Sequence, residues 1–389
     1  MNAPAGPGLP YVRLSGIYFF YFCALGAFLP YWPLYLEGIG FDPVQIGQIM
    51  AIPAATKIVS PNLWGWLADH TGRTLRLIRW AAFSTFAGFC AVFWVRDYAG
   101  VAWVMLGFSF FWNAILPLFE TITLGHLHGQ AQRYSRIRMW GSIGFIALVA
   151  LLGKGLDGLF PVACLPQAVA VLFGALWLNT LVVPSSGREN HGEGQGSLAV
   201  ILKRPDVIAF FTANMLLQVA HGPYYVFFSV YLEEHGFDGA GIGQLWALGV
   251  FAEIVLFAGF HRLLRLASPR AILLGSLALS AARWLMIAWG VDHLAWLLIA
   301  QVLHAASFGA VHAVAIHLVH GYFRGPHHGK GQALYSSLSF GLGGALGSFL
   351  SGYGWEAFGP HWVFTAAAGC CLLALLVAWP GVGRSRSPA

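Results

Sequence analysis

Apolar residues run along this chain in long blocks separated by short polar breaks, from residue 12 to residue 379. A hydrocarbon layer takes roughly 20 apolar residues of helix to cross, and each block is long enough to do so. The blocks lack the strict apolar and polar alternation of barrel strands. The pattern predicts twelve helices, over 12–36, 43–67, 75–95, 100–125, 136–156, 159–183, 206–232, 240–264, 271–290, 294–320, 330–354 and 360–379. An even number places both termini on one side. The first block follows a short Pro/Gly-rich segment and has no small-residue cleavage site, so it reads as a retained helix and not a signal peptide.

Composition agrees with the pattern. Of 389 residues 58% are hydrophobic and only 9% charged, too few charges to cover a water-soluble protein of this length. The charges are also sorted by side. With odd-numbered loops outside, the inner side holds Arg13, Arg73, Arg76, Arg79, Arg133, Arg136, Arg188, Lys203, Arg204, Arg262, Arg265, Arg270, Arg324, Lys330, Arg384 and Arg386. That is sixteen of the 21 basic residues, and only Arg96 and Lys154 fall outside. The asymmetry predicts a multi-pass protein of the cell (inner or plasma) membrane with both termini cytoplasmic. The net charge of +6 thus describes topology and not a nucleic-acid surface. Five cysteines, all in apolar runs and without C-x-x-C spacing, indicate neither a disulfide framework nor a zinc site.

A Gly/Ser-rich polar stretch at 184–205 divides the chain into six helices and six. The predicted units are a six-helix bundle at 1–183, a cytoplasmic linker at 184–205, a second six-helix bundle at 206–383 and a cytoplasmic tail at 384–389. An internal repeat supports the division. YLEGIGFDPVQIGQ at 35–48 recurs as YLEEHGFDGAGIGQ at 231–244, offset by 196, with nine of fourteen positions identical. Parallel repeats of this kind, related by an axis along the membrane normal, characterise transporters that rock two halves around a midplane site.

After the second span the chain reads Gly65-Trp-Leu-Ala-Asp69-His-Thr-Gly72-Arg73-Thr-Leu-Arg76. This resembles the G-x-x-x-D-x-x-G-R/K signature of major facilitator proteins, in which an acid at a helix end among arginines can latch one conformation. The equivalent stretch after the eighth span, His261-Arg262-Leu-Leu-Arg265, keeps the charge and loses the pattern. Three further stretches narrow the likeness: Tyr134-Ser-Arg136-Ile-Arg138-Met-Trp-Gly141-Ser-Ile-Gly144, Gln301-Val-Leu-His304-Ala-Ala-Ser-Phe308 and Gly331-Gln332-Ala-Leu-Tyr335. Together they look like the phenylpropionate permease family, a relative of the lactose permease group. Over the whole chain the resemblance implies an all-α integral membrane protein, two six-helix halves with pseudo-two-fold symmetry, working as a proton symporter.

Charge inside a bilayer costs at least a few kcal/mol per group, so an intramembrane ionisable residue is a candidate functional site. Five emerge: Lys57 in the second span, Glu120 in the fourth, Arg138 at the start of the fifth, Glu253 in the eighth and Arg283 in the ninth. The tenth adds His304 and His312, two turns apart on neighbouring faces. Lys57 and Glu253 are themselves 196 residues apart, so the halves place opposite charges at equivalent depths.

In the lactose permease pattern an acid in the fourth helix and an arginine in the fifth bind substrate, while groups in the eighth to tenth handle the proton. The resemblance therefore implies substrate contacts at Glu120 and Arg138. The tenth span has no acid here, so a proton site built from Glu253 with a histidine, modulated by Arg283, is read from the residues. Three interior cations against two anions favour an organic anion, with Arg138 as a bidentate fork and Lys57 as a point charge for its carboxylate. Aromatic side chains near these charges, Tyr21, Tyr31, Trp140, Tyr224, Tyr225 and Trp284, are candidates to stack a ring.

The glycine run at 341–347 lies inside a span and is not a phosphate loop. The histidines of the tenth span lack the i, i+4 spacing with an intervening acid that a helical zinc site uses. The expected protein is a monomeric importer with a small-molecule substrate and protons in a lipid bilayer, without cofactor, metal, enzyme activity or nucleic acid. Symport of an aromatic carboxylate such as 3-phenylpropionate leads. Symport of a sugar or nucleoside, and proton-driven drug export, stay open.

Overall fold

The computed structural model describes residues 9–127, 131–185 and 198–382. Arg188, Arg384, Arg386, the tail and most of the predicted linker lie outside the described residues. The first half of the chain forms α1 (Tyr11–Gly38), α2 (Pro43–Thr71), α3 (Thr74–Cys90), α4 (Tyr98–Leu127), α5 (Ala131–Leu156) and α6 (Leu165–Val182). After a helical turn at Leu198–Leu202 come α7 (Pro205–Glu234), α8 (Gly239–Leu266) and α9 (Pro269–Gly290). Three more follow, α10 (Leu294–Tyr322), α11 (Gly329–Phe358) and α12 (Pro360–Ala378). Among the described residues there is no strand.

Two helix starts differ from the hydropathy reading by five residues or more. Helix α5 starts at Ala131, not 136, because its first turn, Ala-Gln-Arg-Tyr-Ser, is polar and protrudes from the apolar layer that hydropathy senses. Arg138 therefore sits about two turns inside the helix and not at its start. Helix α6 starts late, at Leu165, after a 3-10 turn at Val162–Cys164, with a proline in its first turn. That turn proline is suited to a helix start and not an interior.

Ten of the helices are long and apolar enough to cross a membrane by length and composition. The other two, α2 with 29 residues and α7 with 30, are as long but more polar. Their place in the fold explains it: α2 is packed against α4 and α11, and α7 against α1, α11 and α12. Helices facing protein on several sides can carry Lys57, Asn62, Asn214 and His221, which lipid would not accept.

The internal repeat has a structural meaning. Gly40 and Gly236 take positive φ, +95° and +79°, a left-handed conformation suited to glycine that stops α1 and α7. Phe41 and Phe237 then donate back to Leu36 and Leu232, each at 3.1 Å. Asp42 and Asp238 cap the next helix, accepting from Gln45 and Gly241 N–H at 2.8 Å, as short polar side chains at this position do. The repeat thus encodes a helix stop, a turn and a helix start in each half.

Its last element builds the contact between the halves, which meet along α2 with α11, α5 with α8, and α1 with α7. A Cβ on Gly47 would come within 2.8 Å of Ser348 O, and one on Gly243 within 2.5 Å of Val149 O. Nearer the helix ends, a Cβ on Gly153 would lie 2.2 Å from Gly239 O. Polar bonds finish both seams. The Asp157 carboxylate accepts from Gly239 N–H (2.6 Å) and Ala240 N–H (2.9 Å) at the start of α8, and Gln48 donates to Tyr353 (2.9 Å). All of these lie toward the arginine-poor face. Toward the opposite face, the last hydrogen bond between the halves among the described residues joins Asn62 to Ser337 at 3.1 Å. The halves are closed at the arginine-poor side.

Candidate functional site

The second half holds a dense polar cluster where α7 to α10 meet. Glu253 on α8 and His304 on α10 touch, Oε1 to Nε2, at 2.7 Å. At that distance a proton lies between them whichever partner owns it. His304 is buried, and its other ring nitrogen has no hydrogen-bond partner among the described residues.

Arg283 on α9 is fully buried yet does not pair with Glu253. Its Nε donates to Ala300 O and its Nη1 to Ser307 Oγ, both at 2.9 Å. The guanidinium lies against the rings of Tyr224 (4.3 Å) and Trp284 (4.4 Å), a cation–π arrangement that helps hold a cation away from water. Its Nη2 has no hydrogen-bond partner among the described residues. Tyr224 donates to Gln301 (2.9 Å), and Tyr225 stacks on His221 with centroids 5.7 Å apart. Tyr225 thereby belongs with the Glu253 cluster and not with Glu120 and Arg138. His221 was missed in the sequence, although a lone histidine in the middle of the seventh span is a legible signal.

His304 and His312 are not on neighbouring faces as a regular helix would have them. Residues Ala305–Ala310 form a π-helical segment, which takes more residues per turn than an α-helix and brings positions four apart into line. His304, Phe308 and His312 form one column, with ring planes 13° and 12° apart at 5.6 and 6.1 Å. His312 ends it at the Tyr335 hydroxyl, 3.3 Å away.

The first half holds a second cluster. Tyr134 on α5 donates to Glu120 on α4 (3.1 Å). The Arg138 guanidinium lies over Phe22 (4.2 Å) and near Tyr18 (5.5 Å), both on α1. Arg138 makes no ion pair within 4 Å among the described residues. Trp140 is not brought to it: this side chain is exposed, and its indole N–H donates to Tyr11 at the start of α1 (2.9 Å).

Lys57 can be placed by helix geometry. On α2, Thr56 bonds Ser109 of α4 (3.0 Å), Ser337 of α11 donates to Ile58 O, and Ala55, Val59 and Leu63 are exposed. At 100° per residue, Lys57 points between the α4 and α11 faces, opposite the exposed strip. It aims into the protein and has no hydrogen bond or ion pair among the described residues.

The expected latch is only partly assembled. Gly72 ends α2 with φ +61° and donates to Ala68 O at 2.8 Å, and Gly65 has open space around it. The Asp69 and Arg73 side chains are exposed and unpaired among the described residues.

Comparison with known proteins fits this architecture. The model of the MFS_1 like family matches residues 11–366. The chain is 30% identical over 367 residues to the "Probable 3-phenylpropionic acid transporter" of Escherichia coli (strain K12), covering 92% of this chain and 95% of that one. It is 27% identical to the maltose permease of Geobacillus stearothermophilus, covering 92% and 91%. A crystal structure of a mutant of the nucleoside transporter NupG superposes with a TM-score of 0.85 at 18% identity, covering 95% and 98%. The last likeness shows the fold alone. The chain belongs to the MFS_1 like family, and it is a secondary transporter of the major facilitator fold and not an enzyme.

Proposed function

We propose that this protein imports a small aromatic carboxylate together with a proton, by alternating access in the cell membrane. One observation carries the reading: among the described residues none of the three interior cations forms an ion pair with either interior carboxylate, and three cations stand against two acids. Glu120 takes its hydrogen bond from Tyr134 and Glu253 meets His304, while Lys57, Arg138 and Arg283 have no acid within 4 Å among the described residues. The interior is thus one positive charge in excess, and a second when Glu253 is protonated. Uncompensated cations in a low-dielectric site attract an anion strongly, and loading Glu253 with a proton strengthens that attraction. Proton and anion then favour each other's binding, which is the thermodynamic content of symport.

The relative named for 3-phenylpropionic acid supplies a matching substrate chemistry, a benzene ring with a carboxylate tail. In this chain Lys57 and Arg138 take the carboxylate. The ring lies against the aromatic wall that includes Tyr225, His221 and Trp246, with Tyr225 and Trp246 stacked at 6.4 Å. The proton enters and leaves through Glu253 and the His304 to His312 column. Asp69 and Arg73 pair when the halves close at the arginine-rich face. The working unit is the monomer.

The test is uptake of radiolabelled aromatic acids, sugars and nucleosides into proteoliposomes under an imposed inward proton gradient. Accumulation of an aromatic acid that collapses with an uncoupler supports the proposal. Gradient-driven accumulation of only maltose or a nucleoside replaces the substrate, and movement of drugs toward the acidic side replaces the importer.

A further inference from the structure

At the arginine-rich end of the first half, α3 and α6 enclose a cavity of about 310 Å³ lined by Arg76, Arg79, Trp80, Phe83 and Trp177. The four residues from α3 recur at i, i+3, i+4 and i+7, so they form one stripe along the helix. Phe86 continues it, stacked on Trp177 with centroids 6.2 Å and ring planes 8° apart. Phe83 packs on the same indole at 5.1 Å.

The stripe changes character along the helix axis and not around it. Arg76 is in the first turn of α3, at the membrane boundary. Phe86 lies ten residues further in, roughly 15 Å deeper at 1.5 Å per residue. Between them Trp80 is 65% exposed, an amphipathic ring at the depth where indoles favour the interface between headgroups and hydrocarbon.

The two arginines differ in how far they are committed. Arg79 caps the end of α6, with Nε donating to Thr180 O and Nη2 to Leu181 O and Val183 O, all at 3.2 Å. Those bonds satisfy carbonyls that the helix leaves without partners, and Nη1 has no hydrogen bond among the described residues. Arg76 is exposed and has no side-chain hydrogen bond or ion pair among the described residues. Among the described residues no acidic side chain lines the cavity.

We infer that this groove binds an anionic phospholipid. Arg76 and Nη1 of Arg79 take the phosphodiester, and the first acyl segments lie along Trp80, Phe83 and Trp177. Two guanidinium groups over an aromatic wall match a headgroup of net negative charge on an apolar tail. A zwitterionic lipid would bring its own ammonium toward the same two cations. The site lies on the outer surface of one half and is independent of the transported solute.

Native mass spectrometry of the full-length protein in a neutral detergent tests this. The protein is titrated with phosphatidylglycerol or with phosphatidylcholine of the same acyl chains. Wild type should retain phosphatidylglycerol at roughly tenfold lower lipid concentration, because phosphatidylcholine offers the same phosphate together with a quaternary ammonium that the two guanidinium groups repel. Arg76→Gln should remove most of that preference, while Arg96→Gln at the opposite face should keep it. Trp80→Ala should weaken retention of both lipids. Equal retention of the two lipids by wild type, or an undiminished preference in Arg76→Gln, would overturn the assignment. Thermal unfolding gives a second reading: phosphatidylglycerol should raise the Tm of wild type more than that of Arg76→Gln, and an equal rise in both would count against the site.

Discussion

Adding one methyl group to Gly153 should force the arginine-poor seam open. The new Cβ would lie 2.2 Å from Gly239 O, where ordinary contact begins at 3.4 Å. The obstacle is backbone, so no side chain can swing aside, and α8 must retreat by roughly 1.2 Å. The same displacement stretches the Asp157 bonds to Gly239 N–H and Ala240 N–H, now 2.6 and 2.9 Å, beyond hydrogen-bond reach. Charge-assisted bonds contribute about 1.5–3 kcal/mol each when buried, but Asp157 is exposed and water replaces much of what is lost. A total of about 1.5 kcal/mol remains, which shifts the closed-to-open ratio at this face by roughly tenfold.

Spin labels at Leu159→Cys and Glu234→Cys, in a background lacking the five native cysteines, report the gap by pulsed dipolar spectroscopy. In Gly153→Ala the longer distance should become the dominant population and transport should slow. Gly107→Ala, where nothing lies within 4 Å of the new Cβ, should change neither. Superimposable distance distributions for wild type and Gly153→Ala, with transport intact, would refute the reasoning that backbone contact sets the closed state.

Four further substitutions address the interior. Symport of one proton with a monoanion moves no net charge, so a gradient of one pH unit should drive about tenfold accumulation. Glu253→Gln should abolish that accumulation and leave downhill exchange, and uphill uptake unaffected by the change would remove Glu253 from the proton path. Lys57→Met should raise the KM for the anionic substrate roughly tenfold or more, the loss of one interior charge contact; an unchanged KM places the carboxylate elsewhere. Arg138→Ala should abolish saturable anion binding measured by equilibrium dialysis, and wild-type affinity would exclude the fork. Trp140→Phe should leave KM within about twofold, because its indole bonds Tyr11 and not the cluster; a larger rise would bring Trp140 into the site.

Hydropathy marked the helices because their apolar length is set by the bilayer, and it erred where helix and bilayer part company. The polar first turn of α5 is helical outside the hydrocarbon, and the Pro-rich entry to α6 is apolar without being helical. The interior charges were legible one by one, since each stands out against an apolar run. Their pairings were not, because partners are chosen by packing between helices far apart in sequence. Arg283 finds Ala300 O and Ser307 in place of Glu253, and nothing in the spacing of the ninth and tenth spans announces it. The duplicated segment was legible as a repeat, but its purpose at the seams required the close approach of Gly47 to Ser348 and of Gly243 to Val149.

The π-helical stretch at Ala305–Ala310 makes the alignment of His304 with His312 a matter of chain length as well as side-chain identity. Such a stretch stores one residue more than an α-helix would use over the same rise. Removing a single residue there, for example Ala306, would let α10 close into regular helix with both ends still anchored. The two histidines would then stand seven apart, within about 20° of one face of a regular helix, and the imidazoles would stay in line. A substitution that keeps the chain length but closes the bulge into regular helix would instead set them eight apart, about 80° out of line, and separate the two rings although each remained.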